Sequence, residues 1–391
     1  MSLSPGRVDH IPALRIALGL ALPLALLLLV NRVDWAMYAG FGAFTGIYSR
    51  YESTRSRVRR QSMVAVLLTA CVTIGASLAS LGSALPGVPS SLLTLVVSSA
   101  VAGAAAVFIT VQGLKPGGAV FPLFAVAAVA AAPPAASIPV AAGIAAASAA
   151  WCVLLGLAFH WLGERHAAAG VGVARETFTL GQMGAEFGRY SVASACAGLL
   201  GLASGLPFPY WAQIAAVVPL SAPGRAAQVE RGVHRVVGSS LGIVTTAFLL
   251  SFPSEPWQLV VWVVVMQFVA ELYVLRNYAL ALMFITPLAL LMVQMAHPQE
   301  AGPMLQARVV ETTIGVAVGI VMVNLSAAWD RARAVRWAAA RRHAQARRAH
   351  GQWMAAARRA SAQQTPVLRG VEGEPHRGRA HGSAGDTGRS E

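Results

Sequence analysis

Tyr210–Gly242, YWAQIAAVVPLSAPGRAAQVERGVHRVVGSSLG, reads as an apolar span, a basic turn and the start of a second apolar span. The turn carries Arg225, Arg231, His234 and Arg235, with Glu230 as its only acid. An earlier stretch has the same form: Trp35–Arg60, WAMYAGFGAFTGIYSRYESTRSRVRR. Trp35 and Trp211, Arg55 and Arg231, and Arg59 and Arg235 are each 176 residues apart. The common ungapped offset predicts a duplicated membrane unit, with one basic hairpin at the same place in each half.

The composition agrees with a membrane chain. Of 391 residues, 56% are hydrophobic and 12% charged, and the mean hydropathy is +0.60. A soluble domain carries about 25% charged residues. Apolar runs near the bilayer-spanning length of about 20 residues recur throughout, and strand-period alternation, which would mark a barrel, is absent. The first run extends to Val30 without a small-residue cleavage site, which predicts an uncleaved first helix rather than a leader. Twelve spans are expected, near 12–31, 35–49, 62–81, 91–111, 118–133, 139–161, 189–206, 211–223, 236–252, 257–274, 278–296 and 304–328.

The expected organisation is all-α. A first six-span repeat occupies 1–162, a polar connector 163–187, and a second six-span repeat 188–329. A basic cytoplasmic helix follows at 330–363, then a disordered Gly/Arg/Ser-rich tail at 364–391. Basic residues gather at one set of loop ends: the 50–60 cluster, Lys115, Arg165, Arg175, Arg225, Arg231 and Arg276. The positive-inside rule then places both termini in the cytoplasm, makes the halves parallel repeats, and points to a bacterial inner membrane. The net charge of +14 is mainly this topology signal plus the Arg-rich tail. That tail is read either as a solvated continuation of the last span or as an anchor for anionic lipid headgroups. Nucleic acid is not expected as a partner.

Several chemistries are excluded. No His/Cys/Asp/Glu cluster has metal-ligand spacing, no glycine pattern suits a phosphate loop, and no paired acids or nucleophile set suggests an enzyme. Neither a metal nor a cofactor is expected. Cys71, Cys152 and Cys196 fall inside apolar runs and read as small buried side chains.

PYWAQIAAVVPL followed by ERGVHRVVGSSLG resembles fusaric acid resistance-like membrane proteins, relatives of the aromatic acid exporters. There a Pro-Tyr-Trp opens one helix, and an Arg followed by spaced small residues opens the next. Arg235, Gly238 and Gly242 fit that pattern, as does ARVVETTIGVAVG with Arg308, Glu311, Gly315 and Gly319. The resemblance, which covers most of 11–328, implies export of small, mostly aromatic carboxylic acids. The plan is also similar to plant aluminium-activated malate channels, six-span dimers of which a duplicated chain would be a fused form. The expected substrate is therefore a small organic anion. The alternatives are a passive anion channel of similar fold and a non-transport membrane scaffold. The oligomeric state is open, with a monomer of fused repeats compatible with the duplication.

Charge inside a span is costly and needs an explanation. Arg308 and Glu311 lie at i,i+3 spacing, either as a neutralised pair tying the last span to a neighbour or as an anion-meeting pair. Glu271, with Gln267 one turn earlier, is either an interfacial acid paired with Arg276 or Arg235, or a protonatable site. Arg59 and Arg235 are either snorkelling topology charges or equivalent cations facing the path between the halves. Gly42/Gly46, Gly238/Gly242 and Gly315/Gly319 are spaced for close helix packing. Trp35, Tyr210 and Trp211 read as interface anchors. Polar residues within spans concentrate in the second half, which predicts a lopsided site.

Overall fold

A computed structural model describes residues 10–84, 90–162, 178–252 and 255–371. It divides into two compact units, 1–327 and 328–391. Among the described residues the secondary structure is entirely helical, with twelve α-helices. These are α1 His10–Leu29, α2 Ala36–Ala43, α3 Thr54–Ala84, α4 Ser90–Gln112, α5 Val120–Ala131, α6 Ile138–Trp161, α7 Leu180–Ala203, α8 Tyr210–Leu220, α9 Arg225–Leu250, α10 Pro256–Tyr273, α11 Tyr278–Ala296 and α12 Ala301–Val371. Each falls where an apolar span is expected.

Eight stretches are long and apolar enough to cross a membrane: α1, α3, α4, α6, α9, α10, α11 and α12 as far as Ala328. α1 shows the reason. It buries Ile16, Leu20 and Leu24 while exposing Leu14, Leu18, Leu22, Leu26 and Leu29. A helix apolar on all sides suits lipid on its outer face and protein on its inner one. α7 differs from the expected span, because it starts at Leu180, inside the stretch read as connector. Thr179 and Gln182 form a capping box there, so the chain enters the helix through its own polar cap. The rest of the expected connector, up to 177, lies outside the described residues. At the other end, α12 runs on to Val371, so 364–371 is helix and not tail. Residues 372–391 lie outside the described residues. In the second unit, Trp353, Met354, Arg358 and Arg359 are exposed.

Three short helices occupy the centre of the first unit. Every residue of α2 and of α8 is buried, and α5 buries most of its length. α8 has 11 residues and α5 has 12, which at 1.5 Å per residue is about 16–18 Å. The hydrocarbon core is about 30 Å thick. Neither helix is therefore long enough to span that core by itself.

The packing partners recur at a spacing of six helices. α3 packs on α5 and α9 on α11; α1 packs on α10 and α7 on α4; α2 meets α11 and α8 meets α5. Gly42 of α2 lies against Ala145 of α6, and Gly315 of α12 lies against Ala212 of α8. Gly238 and Gly242 press on Ala279, Leu282 and Thr286 of α11, and Gly319 presses on Ala216. Gly46 has more room, with Cys152 the nearest neighbour at 3.5 Å from an added Cβ. A side chain at Gly315 would run into the backbone carbonyl of Ala212. Gly315→Leu is therefore expected to destabilise the fold by about 3 kcal/mol through overpacking. Gly143→Leu, where an added Cβ meets nothing within 4 Å, should be silent. Unfolding midpoints of the two variants in detergent check this, and equal midpoints would contradict the contact.

Burial differs at the landmark arginines 176 residues apart: Arg59 is exposed, whereas Arg235 is buried. The buried face of α3 carries Arg57, Gln61, Val64, Leu68, Cys71 and Gly75, and that of α9 carries Gln228, Gly232, Arg235, Ser239, Gly242 and Thr246. The inward arginine of α3 is therefore Arg57 and not Arg59, because two residues turn a helix by more than half a revolution.

Candidate functional site

Arg308 lies seven residues into α12, about 10 Å from that helix's start. It is 1% exposed, and its guanidinium carbon sits 3.8 Å from the centroid of the Trp211 ring. This cation–π contact holds the charge where water is scarce. Arg235 lies ten residues into α9 and is 4% exposed. Arg235, Glu311, Tyr210 and Tyr278 all lie within electrostatic range of Arg308. Glu311 shares the face of α12 that carries Gly315 and Gly319, so it faces the start of α8 at Trp211 and Ala212.

The expected Arg308–Glu311 pair does not form. Among the described residues no ion pair joins them; Glu311 turns instead to the backbone N–H groups of Ala212 and Trp211, and the Arg308 Nε and Nη1 lack hydrogen-bond partners. Arg308 turns to the indole face, while the helix start of α8 offers Glu311 a positive dipole end. Around them, Arg235 Nε, Trp211 Nε1, Ser239 Oγ, Thr286 Oγ1 and Thr312 Oγ1 are also buried without partners among the described residues. Two guanidinium groups and one carboxylate leave a surplus of one positive charge. Unmatched donors around a buried surplus cation favour an anion, because an acceptor would satisfy both the charge and the N–H and O–H groups.

Residues 195–322 match the family described as Fusaric acid resistance protein-like. The match takes in α8 to α11 and the membrane part of α12 as far as Met322, hence every residue of this cluster. Over 133 residues the chain is 25% identical to the uncharacterized membrane protein YvaC of Bacillus subtilis (strain 168), covering 34% of this chain and 21% of that protein. The chain therefore spans about a fifth of that relative's length in the matched part. No solved structure matches.

Within the region matching the Fusaric acid resistance protein-like family, Glu271 finds a partner from outside it. Arg50 Nη1 donates to Glu271 Oε2 and to the Glu271 carbonyl, both at 2.9 Å. Gln267 Nε2 donates to Glu271 Oε1 at 2.8 Å. The partners expected from sequence, Arg276 and Arg235, are not the ones used. Arg15 of α1 is buried within electrostatic range of the same carboxylate. This charged knot lies where α1 packs on α10.

Arg59 is not part of either cluster. The inward arginine of α3 is Arg57, whose Nη2 donates to the Gly156 carbonyl at 2.6 Å. One turn on, Gln61 Nε2 donates to the carbonyls of Gly46 and Tyr48, at the unwound end of the second span. The first half therefore holds buried charge too, at Arg15, Arg50 and Arg57. In sequence these looked like flanking topology charges. The available signal was the i,i+4 spacing of Arg57 and Gln61 on the face that continues through Val64 and Leu68.

Tyr210 and Trp211 are buried, not interface anchors. They join Phe41, Phe44, Phe121 and Phe124 in a run of ring contacts at centroid distances of 4.7–6.4 Å. Trp35 is half-buried and donates its indole N–H to the Ala135 carbonyl. Beside Tyr210, a cavity of about 10 Å³ is lined by Met37, Ala131, Ala132, Phe208, Val293, His297 and Gln299. That is room for about one water, so the aromatic run closes this side of the cluster. Cys71 and Cys152 are buried as expected, but Cys196 is exposed.

Proposed function

We propose that this chain exports small organic anions, aromatic carboxylates above all, through a basic path centred on Arg308, Arg235 and Glu311. The single observation that carries this reading is the buried surplus positive charge set against the Trp211 ring. A carboxylate answers the guanidinium groups, and an aromatic ring extends the stacked wall of Tyr210, Trp211 and Phe124. The match to the Fusaric acid resistance protein-like family over the same residues supports it. The closed aromatic run supports an exporter that changes conformation over a permanently open pore.

In this reading all twelve helices cross the membrane as two parallel repeats, supported by the packing partners that recur six helices apart. Both termini then lie on the Arg-rich, cytoplasmic side of a bacterial inner membrane. In a cysteine-free background, Glu300→Cys should react with an impermeant maleimide in whole cells. Arg225→Cys should react only after permeabilisation. Labelling of Arg225→Cys in intact cells would overturn the orientation.

The function is tested by growth of a strain lacking the gene against a panel of aromatic and aliphatic carboxylic acids, with the neutral amides of the same acids as controls. Restoring the gene should raise tolerance to the acids and leave the amides unaffected. Equal protection against acids and amides would rule out recognition of the charge.

A further inference from the structure

A cavity of about 310 Å³ is lined by residues other than those of the Arg308 cluster: Ser53, Arg55, Ser56, Arg59, Arg60, Met63 and Gln112, where the start of α3 meets the end of α4. Its charges are unevenly used. Glu52 accepts hydrogen bonds from Ser56 Oγ at 2.6 Å and from Arg60 Nη1 at 2.7 Å. Arg60 also donates to the Gly113 carbonyl. Glu52 is thus neutralised by Arg60, while Arg55 and Arg59 make no hydrogen bond or ion pair among the described residues. The cavity carries two uncommitted guanidinium groups one helical turn apart.

Its position says what it meets. α3 has 31 residues and is about 46 Å long, well beyond the thickness of the hydrocarbon core. Its apolar stretch begins at Met63, so the turns carrying Arg55 and Arg59 lie at headgroup depth. The outward stripe of α3 runs Arg55, Arg59, Ser62, Val66 and Ala70, all exposed, with Val66 at 72%. One face thus passes from two cations, through a hydroxyl, to bare apolar surface. That order matches a phospholipid, with a phosphoryl group above acyl chains. Arg231 on α9, by contrast, is committed: it donates to Ser221 Oγ at 3.1 Å and lies 4.8 Å from the Tyr278 ring centroid.

We propose that this cavity binds the phosphoryl group of an anionic phospholipid, with Arg55 and Arg59 as the paired donors and Met63 and Val66 against the acyl chains. Paired guanidinium groups suit a phosphodiester because their forked N–H groups match its two free oxygens. The site needs only a membrane-inserted chain, so it stands or falls apart from the transport reading.

The test uses the full chain in neutral detergent. The thermal unfolding midpoint is followed while phosphatidylglycerol, phosphatidylcholine or inorganic phosphate is added. Phosphatidylglycerol should raise the midpoint saturably, and the other two should not. Arg55→Gln/Arg59→Gln should weaken the apparent phosphatidylglycerol affinity about tenfold or more, since charge-assisted hydrogen bonds carry it. Arg225→Gln removes a charge from an exposed position on α9 and should leave the response intact. Arg55→Lys/Arg59→Lys should retain part of it, which guards against a folding defect in the glutamine variant. An undiminished response in Arg55→Gln/Arg59→Gln would overturn the proposal. Protection by inorganic phosphate equal to that by phosphatidylglycerol would overturn the lipid as its source.

Discussion

Arg308→Gln should cut export of an aromatic carboxylate by about a hundredfold or more while leaving the yield of folded protein unchanged. A unit charge at contact contributes about 4 kcal/mol at an effective dielectric of 20, and even two-thirds of that is a factor of about a hundred. The fold should tolerate the change because Arg308 and Glu311 are not bonded to each other and Arg235 remains to balance the acid. Removing one of two neighbouring buried cations also relieves their repulsion, so a small gain in stability is the expected companion of the lost flux. Arg308→Lys keeps the charge but gives up the planar stack on Trp211 and should fall between wild type and Arg308→Gln. Flux normalised to the monodisperse size-exclusion peak separates the two effects. Wild-type flux in folded Arg308→Gln and in folded Arg235→Gln would remove these residues from the path.

Glu271→Leu should destabilise the protein by about 3–5 kcal/mol, the usual result of removing one partner of a buried ion pair. Arg50 is 7% exposed and donates two hydrogen bonds to residue 271, one to the side chain and one to the carbonyl. Replacing both partners by apolar residues is a different perturbation, because no charge is then stranded. Glu271→Leu/Arg50→Met is therefore expected to recover most of the loss. Unfolding midpoints of the two single variants and the double variant give the coupling directly. A double variant as unstable as the sum of the singles would show that the two side chains do not act as a pair.

The helices were legible in the sequence because each is a run of apolar residues bounded by Gly, Pro or charge. Gly238, Gly242 and Gly315 were legible for a similar reason, since a glycine repeated at four-residue spacing on an apolar helix has little use other than close approach. The inward face of α3 was not. The landmark offset at Trp35, Arg55 and Arg59 is a property of the chain, whereas burial depends on helical phase, which turns Arg57 and Gln61 inward in place of Arg59. The partner of Glu271 was hidden differently: Arg50 is 221 residues away and belongs to a basic cluster in which nothing in the sequence sets it apart from Arg55, Arg57, Arg59 and Arg60. Tyr210 and Trp211 looked like anchors because aromatic residues at a span end usually are. What marks them as interior is that every residue of α8 is buried, including Gln213, whose amide meets Ser98, Ser99 and Ser194.

The shortness of α5 and α8 has an electrical consequence. In the proposed twelve-span arrangement, the loops at their ends would bring the two bulk phases closer together at the centre of the molecule than in the surrounding lipid. The membrane voltage would then fall across about 16–18 Å instead of about 30 Å, nearly doubling the local field. A singly charged carboxylate leaving a negatively polarised interior gains about 2.3 kcal/mol for each 100 mV. In the proposed export it would collect nearly all of that in one short passage beside Arg308 and Trp211, so the resting potential itself would drive the anion outward.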